Sequence, residues 1–466
     1  MVDLLKQKNK KSDTELARKI SLFIDKSKID EYEIYISNSI DNEIEIFGGE
    51  VESLSYSDSK GIGIRVFKEK KIGYSYVSSF EENKIRDCIE KAVQNSKITN
   101  EEAINGLPLK NEYRYEKGSD IEKYLYNEDF FKASIEDKIE LSKNLERKAK
   151  GKDKRISGVD SLNYSDNFSE VTMLNSFGFE GTYRNTSSFL FLNIISKDKG
   201  DTSTGFSFSY ERDPKKLDLE KIAEDASNKS LMLLGSKKIK SVSSDILLDS
   251  LVASQFLGVI ASILTADSVQ KGKSLFKDKI GEKIFSKNIN IFDNGIMKEG
   301  FSSKPFDGEG VNKGNTQIFK DGILKTFLYD CYTARKDKTL STGNAVRASY
   351  KSTPSVGVSN FYLEPYLSHS FENILKSIDE GFYVIDIIGL HSGANPITGD
   401  ISVGAKGLWI KNGCFDFPVK EVTIATDILS FCKKIESVGN DLKFFPSVGF
   451  IGSPSLHIKD ITISGI

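Results

Sequence analysis

Two stretches of alternating apolar and polar residues constrain the fold of this chain more than any other feature. The first reads as a series of short strands, at residues 32–38, 43–47, 51–57, 62–67 and 72–77. Turn-forming pairs separate these strands, at Asp41-Asn42, Gly48-Gly49, Lys60-Gly61 and Lys70-Lys71. Short strands joined by close turns predict an antiparallel sheet.

The second alternating stretch spans residues 156–210, and helical periodicity flanks both stretches. Apolar stripes predict helices at residues 13–28, 81–96, 134–150 and 219–234. The order of helix, strands and helix therefore occurs twice. We predict an N-terminal α+β domain over residues 1–237, with antiparallel sheets, flanking helices and two sub-regions, about 1–110 and 111–237.

The second half of the chain has a different residue pattern. Glycine is frequent, and apolar residues at helical spacing are rare. Short strands are predicted at residues 246–248, 289–292, 317–319, 323–329, 409–411, 422–424 and 456–463. Helices are predicted at residues 371–381 and 428–435, and the stretch 254–274 begins as an apolar helix. We predict an α+β chain whose C-terminal domain, residues 238–466, is mostly β and barrel- or sandwich-like.

Composition narrows the range of functions. The 466 residues carry 65 basic and 67 acidic side chains, which argues against a nucleic-acid partner. The basic cluster from Lys6 to Lys11 is predicted to be a frayed tail. No stretch resembles a signal peptide or reaches the ~18 apolar residues of a membrane span, so we expect a cytoplasmic protein with no membrane partner.

Cysteine and histidine are scarce and widely spaced. The four cysteines form no C-x-x-C pair and are expected to be free thiols in a reducing compartment. The three histidines, His369, His391 and His457, are too far apart for a local H-E-x-x-H site. The spacing of the histidines therefore leaves open only a metal site that is assembled from residues distant in the sequence.

Four runs carry a family resemblance over nearly the whole chain. They are GGEVESLSYSDSKGIGIRVF (48–67), SKPFDGEGVNKGNTQIFKDGILKTFLYDCYTARKDKTLSTGNA (303–345), NPITGDISVGAKGLWIKNGCFDFPVKEVTIA (395–425) and VGNDLKFFPSVGFIGSPSLHIKDITISG (438–465). Their order and spacing resemble the TldD/PmbA family, historically called modulators of DNA gyrase. The resemblance implies a metallopeptidase-like C-terminal domain.

The family resemblance also implies where a zinc site would lie. The TldD branch resembles a zinc metallopeptidase, with H-E-x-x-x-H on a helix and a downstream Cys ligand. Anchored on Gly272-Lys273-Ser274, its His, Glu, His and Cys positions correspond here to Leu257, Gly258, Ser262 and Ile451. None of these residue types suits zinc. The chain thus resembles the TldE (PmbA) branch, and we assign it no catalytic residue, no metal ligand and no cofactor.

Two further groups of residues follow from the resemblance. The glycine-rich loop is interpreted as a peptide-binding or interface loop; it contains His391, Ser392, Gly393, Thr398, Gly399 and Asp400. The second group is interpreted as scaffold, and consists of Asp307, Glu309, Gly310, Gly343, Asn344, Gly439, Asn440 and Asp441. Cys331 and Cys432 are predicted to be core thiols.

The resemblance implies a non-catalytic, regulatory subunit of a cytoplasmic zinc peptidase that acts on unfolded or small precursor peptides. A TldD-like partner would supply the zinc. A homodimer of this chain in the absence of that partner is a further alternative. One alternative is a stand-alone hydrolase that uses His391, Asp400 and Cys414. Another is a non-enzymatic protein that modulates DNA gyrase.

Overall fold

The computed structural model describes residues 13–25, 28–113 and 120–466, and it has the predicted α+β fold. Lys6 to Lys11, predicted to be a frayed tail, lie outside the described residues. Within them, no helix combines the length and the apolar character that crossing a bilayer demands.

One antiparallel six-stranded sheet dominates the N-terminal half, in the order β3-β2-β1-β4-β5-β6. Its strands are β1 (Glu31–Phe47), β2 (Glu50–Lys68), β3 (Lys71–Val77), β4 (Ile156–Asn175), β5 (Glu180–Asp198) and β6 (Asp201–Glu211). Each of the two alternating stretches contributes three strands, and β1 pairs with β4 at the centre. The internal repeat seen in the sequence is therefore built into a single sheet.

The prediction of five short strands before residue 78 is wrong, because two expected turns lie inside long strands. Asn42 pairs with Tyr56 in mid-strand, and its buried amide donates to Asp166 Oδ1 at 2.7 Å. Gly61 also lies inside β2. Glycine fits there because the ring of Tyr350 occupies the space that a Cβ would need. Polar and glycine residues are accommodated in mid-strand here by partners distant in sequence.

Among the described residues, four α-helices pack on one face of this sheet. They are α1 (Asp13–Phe23), α2 (Glu82–Ser96), α3 (Ile135–Lys150) and α4 (Leu219–Met232). Helix α1 ends at Phe23, short of the predicted residue 28. Two apolar clusters hold the helices to the sheet, one under α1 and α2 and the other under α3 and α4.

The C-terminal half contains two further six-stranded sheets. The first, in the order β16-β15-β14-β7-β20-β17, has an added β16–β20 pairing that gives it a barrel-like form. Its strands are β7 (Val242–Leu248), β14 (Glu380–Ile388), β15 (Asp400–Lys411), β16 (Cys414–Asp427), β17 (Ile435–Val438) and β20 (Leu456–Ser464).

The second C-terminal sheet has the order β10-β9-β8-β13-β19-β18. Its strands are β8 (Ile291–Asn294), β9 (Asn315–Lys320), β10 (Ile323–Leu324), β13 (Asn360–Leu363), β18 (Lys443–Ser447) and β19 (Gly449–Ser453), and a separate pair is formed by β11 (Ala345–Val346) and β12 (Ser355–Val356). Of the strand predicted at residues 323–329, only the first two residues form a strand, which follows the tight turn at Asp321-Gly322.

Six helices accompany these sheets. They are α5 (Ser250–Ile263), α6 (Ala266–Gln270), α7 (Cys331–Lys336), α8 (Phe371–Lys376), α9 (Leu390–Gly393) and α10 (Ile428–Lys433). The helix predicted at residues 371–381 ends at Lys376, and Gly381 belongs to β14, where a Cβ would lie 2.8 Å from Asp245 O. Helix α5 is the centre of the C-terminal core, with Phe256 stacked on Phe431 at 4.9 Å.

Candidate functional site

Helix α5 is apolar on nearly all sides, which is typical of a helix enclosed by the rest of a domain. Asp249 begins it as an N-cap, since its side chain accepts a hydrogen bond from Leu251 N. Leu257 is fully buried. Ser262 is exposed near the end of the helix, and its hydroxyl donates to Val259 O at 2.7 Å.

The structure brings together Gly258 and Ile451, two of the positions that the family resemblance aligns with the zinc motif. A Cβ on Gly258 would lie 3.9 Å from Ile451 Cγ1 and 3.4 Å from Ser447 Oγ. Ile451 is on β19, and its side chain is fully buried. Gly258 and Ile451, which are 193 positions apart by their numbers, therefore face each other between α5 and the β18–β19 hairpin.

The residues at these positions do not fit a zinc ion. Leu257, Gly258 and Ile451 have no side-chain atom that can donate a lone pair, and the Ser262 hydroxyl is engaged with its own helix. Across residues 13–25, 28–113 and 120–466, no group of three or more His, Cys, Asp or Glu side chains is placed to hold a metal ion. The described residues at this contact between α5 and β19 are therefore packing residues rather than metal ligands.

The loop at the end of the β14–β15 hairpin is held by its own hydrogen bonds. Thr398 Oγ1 donates to Asp400 Oδ2 at 2.6 Å, and Thr398 N donates to Asn395 Oδ1 at 3.2 Å. Gly399 takes a positive φ of 88° and donates its N–H to Asn395 O. His391 and Ser392 are exposed in the short helix α9, while Gly393 is half-buried.

The three groups named for a stand-alone hydrolase are not brought together. Asp400 begins β15, whereas Cys414 pairs with Lys411 at the other end of the same strand. That length of strand separates the two by roughly 30 Å. No hydrogen bond or ion pair joins His391 to Asp400 within the described residues. A nucleophile, base and acid must lie within hydrogen-bond reach of one another, and these do not.

The scaffold residues near Asp307 form a buried hydrogen-bonded junction. Asp307 accepts from the backbone N–H groups of Glu309 (2.8 Å), Val311 (3.0 Å) and Ala345 (3.0 Å). Burial and the neighbouring Glu309 carboxylate raise the pKa of Asp307 to about 7. The junction therefore contains a carboxyl group that can change its charge near neutral pH.

Two glycines and an asparagine complete the junction. Gly310 and Gly343 take positive φ values of 87° and 72°. Asn344 Nδ2 donates to Asp293 Oδ2 at 2.7 Å, and Lys313 Nζ donates to Gly343 O at 3.0 Å. These contacts fix the loops on either side of β9 against β8 and β13.

A buried charge cluster that the sequence patterns did not reveal joins this junction to the N-terminal sheet. Arg65 on β2 donates to Glu33 Oε2 at 2.8 Å and to Glu309 Oε1 at 3.2 Å. Arg347 also donates to Glu33. Burial lowers the pKa of Arg65, but Glu33 and Glu309 outweigh this effect and hold the pKa above its usual value. The available signal was an arginine inside the apolar run at residues 62–67, because a buried charge requires a partner.

Gly439 and Asp441 join strands at the far end of the domain, beside an exposed Asn440. Asp441 Oδ1 accepts from Ser455 N and Ser455 Oγ, each at 2.9 Å. Gly439 N donates to Ser455 O at 2.9 Å, and Gly439 O accepts from Tyr366 N. Gly439 and Asp441 thus hold the chain between β17 and β18 against the start of β20.

The comparisons with known domains cover most of the chain. Three domain families match, described as PmbA/TldA metallopeptidase domain 1 (residues 32–96), central domain (residues 128–234) and C-terminal domain (residues 241–465). The PmbA homolog metalloprotease of Buchnera aphidicola subsp. Baizongia pistaciae is 31% identical over 78% of this chain and 77% of its own length.

Solved structures share the fold over the same extent. A Thermotoga maritima protein described as a modulator of a DNA gyrase has a TM-score of 0.86 and 27% identity, covering 97% of this chain and 100% of that one. TldE from Thermococcus kodakarensis also has a TM-score of 0.86, at 24% identity, over 97% of this chain and 99% of that one. This chain therefore belongs to the PmbA/TldD metallopeptidase family.

Proposed function

We propose that this chain is the non-catalytic, regulatory subunit, of TldE type, in a two-subunit zinc metallopeptidase. The observation that supports it most is the contact between Gly258 and Ile451. The positions that would hold the Glu base and the Cys ligand meet in space, yet they carry residues that bind no metal. The zinc and the general base would then belong to a TldD-type partner subunit.

The proposed substrates are unfolded proteins and small precursor peptides in the cytoplasm. Extended peptides bind readily by adding a strand to a free sheet edge. Strand β3 pairs with β2 only from Ile62 onwards, so the part of β2 before Ile62 has no described neighbour on that side. Its backbone N–H and C=O groups are thus available to an added strand.

The exposed loop that carries His391, Ser392, Gly393, Thr398, Gly399 and Asp400 would serve peptide binding or subunit contact. Its internal hydrogen bonds give it a fixed shape, which lowers the entropic cost of binding. In the absence of the zinc-bearing subunit, the chain would be able to form a homodimer. Nucleic acid and membrane are not among the proposed partners.

The test is reconstitution with a paralogue from the same genome that carries H-E-x-x-x-H. The chain alone should neither hydrolyse a fluorogenic unfolded peptide nor bind stoichiometric zinc, measured by elemental analysis after dialysis. Mixing it with the zinc-bearing paralogue should give a stable complex that is more active than the paralogue alone. Hydrolysis by this chain alone, with one zinc per chain, would overturn the proposal.

A matched control separates the roles of the two subunits. Replacing the first His of the partner's H-E-x-x-x-H motif should abolish hydrolysis by the complex while the two chains still co-purify. If activity persists in that complex, the catalytic group lies in this chain. A salt-dependent shift of duplex DNA by this chain would instead favour a nucleic-acid role.

A further inference from the structure

The face of the N-terminal sheet opposite its helices carries a groove of about 640 Å³. Side chains alternate between the faces of a strand. Ile40 and Ile44 face the helix side with its apolar clusters, so Asp41 and Glu43 face the groove. The register places small polar residues beside them, with Ser57 and Asn167 flanking Asp41, and Ser55 and Ser165 flanking Glu43.

One end of the groove is aromatic and lies next to β18. Phe189 and Tyr210 stand side by side there, with ring centroids 5.7 Å apart. Pro446 of β18 forms part of the same wall. The next residue, Ser447, is the one that a side chain at position 258 would contact. The aromatic end of the groove is therefore one residue in sequence from Ser447, which adjoins position 258.

Two negative charges at the groove have no basic partner among the residues that the structure describes. Asp41 and Glu43 are exposed, and no ion pair to either is formed within the described part of the chain. Asn167 Nδ2 donates to Asp41 Oδ1 at 2.7 Å. Asp166 also borders the groove, but its side chain points to the helix side, where Lys138 Nζ of α3 compensates it at 2.6 Å. No Lys or Arg side chain is among the described residues that line the groove.

The residue types that line the groove favour a hydrated ligand-binding groove over a subunit interface. The cores of protein interfaces are enriched in aromatic residues and Arg and depleted in Ser and Asp. Small hydroxyl side chains let a second backbone approach closely, and they can accept or donate hydrogen bonds. A cation beside the rings of Phe189 and Tyr210 would gain cation–π attraction in addition to the carboxylates.

We propose that this groove binds an extended peptide segment through a Lys or Arg side chain, with Asp41 and Glu43 as the anionic partners. The groove crosses β2, β1, β4 and β5, a span of about 14 Å at the usual strand spacing, which matches about four extended residues. The inference rests on the proposed function, since it names the kind of peptide that the subunit would receive. The groove would thus select basic segments among the peptides that reach the two-subunit enzyme.

The test uses the full-length chain and three labelled seven-residue peptides that differ only in the central residue, Arg, Gln or Glu. Fluorescence anisotropy at low and at physiological salt gives each Kd. The Arg peptide should bind about fivefold or more tightly than the Gln peptide, and the Glu peptide should bind most weakly. The double variant Asp41→Asn/Glu43→Gln should reduce Arg-peptide binding to the level of the Gln peptide.

A charge-matched control is available on the same domain. The double variant Asp87→Asn/Glu90→Gln removes two exposed carboxylates from α2, on the opposite side of the sheet, and should leave the Kd values unchanged. Equal loss in both double variants, or equal Kd for the Arg and Gln peptides, overturns the groove proposal while peptide binding itself stands. Failure of all three peptides to bind, with or without the zinc-bearing subunit, overturns the peptide-handling function as well.

Discussion

Arg65 of β2 and Glu309 of the loop before β9 lie 244 positions apart in the chain and are joined by a buried hydrogen bond of 3.2 Å. Their side chains are only 5% and 4% exposed. This contact ties the N-terminal sheet to the scaffold loop of the C-terminal half. Charges removed from water this completely depend on one another for compensation.

Arg65→Met should therefore reduce the free energy of unfolding by about 3–5 kcal/mol, because Glu33 and Glu309 would remain buried without that partner. Urea unfolding followed by circular dichroism measures the change. Arg147→Met is the control, since Arg147 forms an exposed pair with Glu140 on α3 and should cost less than about 1 kcal/mol. Similar losses in both variants would contradict a structural role for the buried cluster.

Asp307 should make stability depend on pH. Burial and Glu309 raise its pKa to about 7, whereas an unfolded aspartate ionises near pH ~3.9. Between these values the folded chain binds more protons than the unfolded chain, so this contribution to stability falls as pH rises from about 4 to about 7. Relative to Asp307→Asn, the wild-type chain should lose about 2 kcal/mol between pH 5 and pH 7.5.

Denaturant unfolding of both proteins at the two pH values measures this difference. Asp58→Asn, an exposed carboxylate on β2, controls for the loss of one acidic group. A wild-type advantage over Asp307→Asn that grows with pH would show that the three backbone N–H donors around Asp307 outweigh its burial.

Gly258→Ala should be tolerated or stabilising. The added Cβ would make ordinary contacts with Ser447 and Ile451, and replacing a helical glycine by alanine stabilises by about 0.5–1 kcal/mol. Gly407→Ala in β15 is the contrast, because its Cβ would overlap the carbonyl oxygen of Tyr383. Thermal unfolding should thus move the two melting temperatures in opposite directions. A large loss at Gly258 would mean that α5 and β19 pack more closely than these distances imply.

The four cysteines should differ sharply in reactivity. Cys414 is exposed, while Cys88, Cys331 and Cys432 are buried, and burial raises the pKa of each of these three thiols. Ellman's reagent should therefore titrate one thiol rapidly in the native chain and all four in denaturant. Cys414→Ser should remove the rapid phase; a rapid phase that persists would place another thiol at the surface.

Sequence patterns predicted the fold class and most elements, because alternation and glycine turns are local signals. The long strands β1 and β2 were misread at Asn42 and Gly61, since the groups that accommodate them, Asp166 and Tyr350, are distant in the chain. The same reason explains why the cluster around Arg65 was missed. The family resemblance singled out Gly258 and Ile451, whereas only the fold could show that these two residues lie in contact.

The charge cluster around Arg65 has a consequence for how the chain is made. Glu33 and Arg65 emerge early from the ribosome, and Glu309 and Arg347 follow more than 240 residues later. Each half contributes one glutamate and one arginine, so each half is electrically balanced at this point before the other arrives. The N-terminal sheet can therefore fold during synthesis without an uncompensated charge at this point, before the C-terminal half covers the sheet.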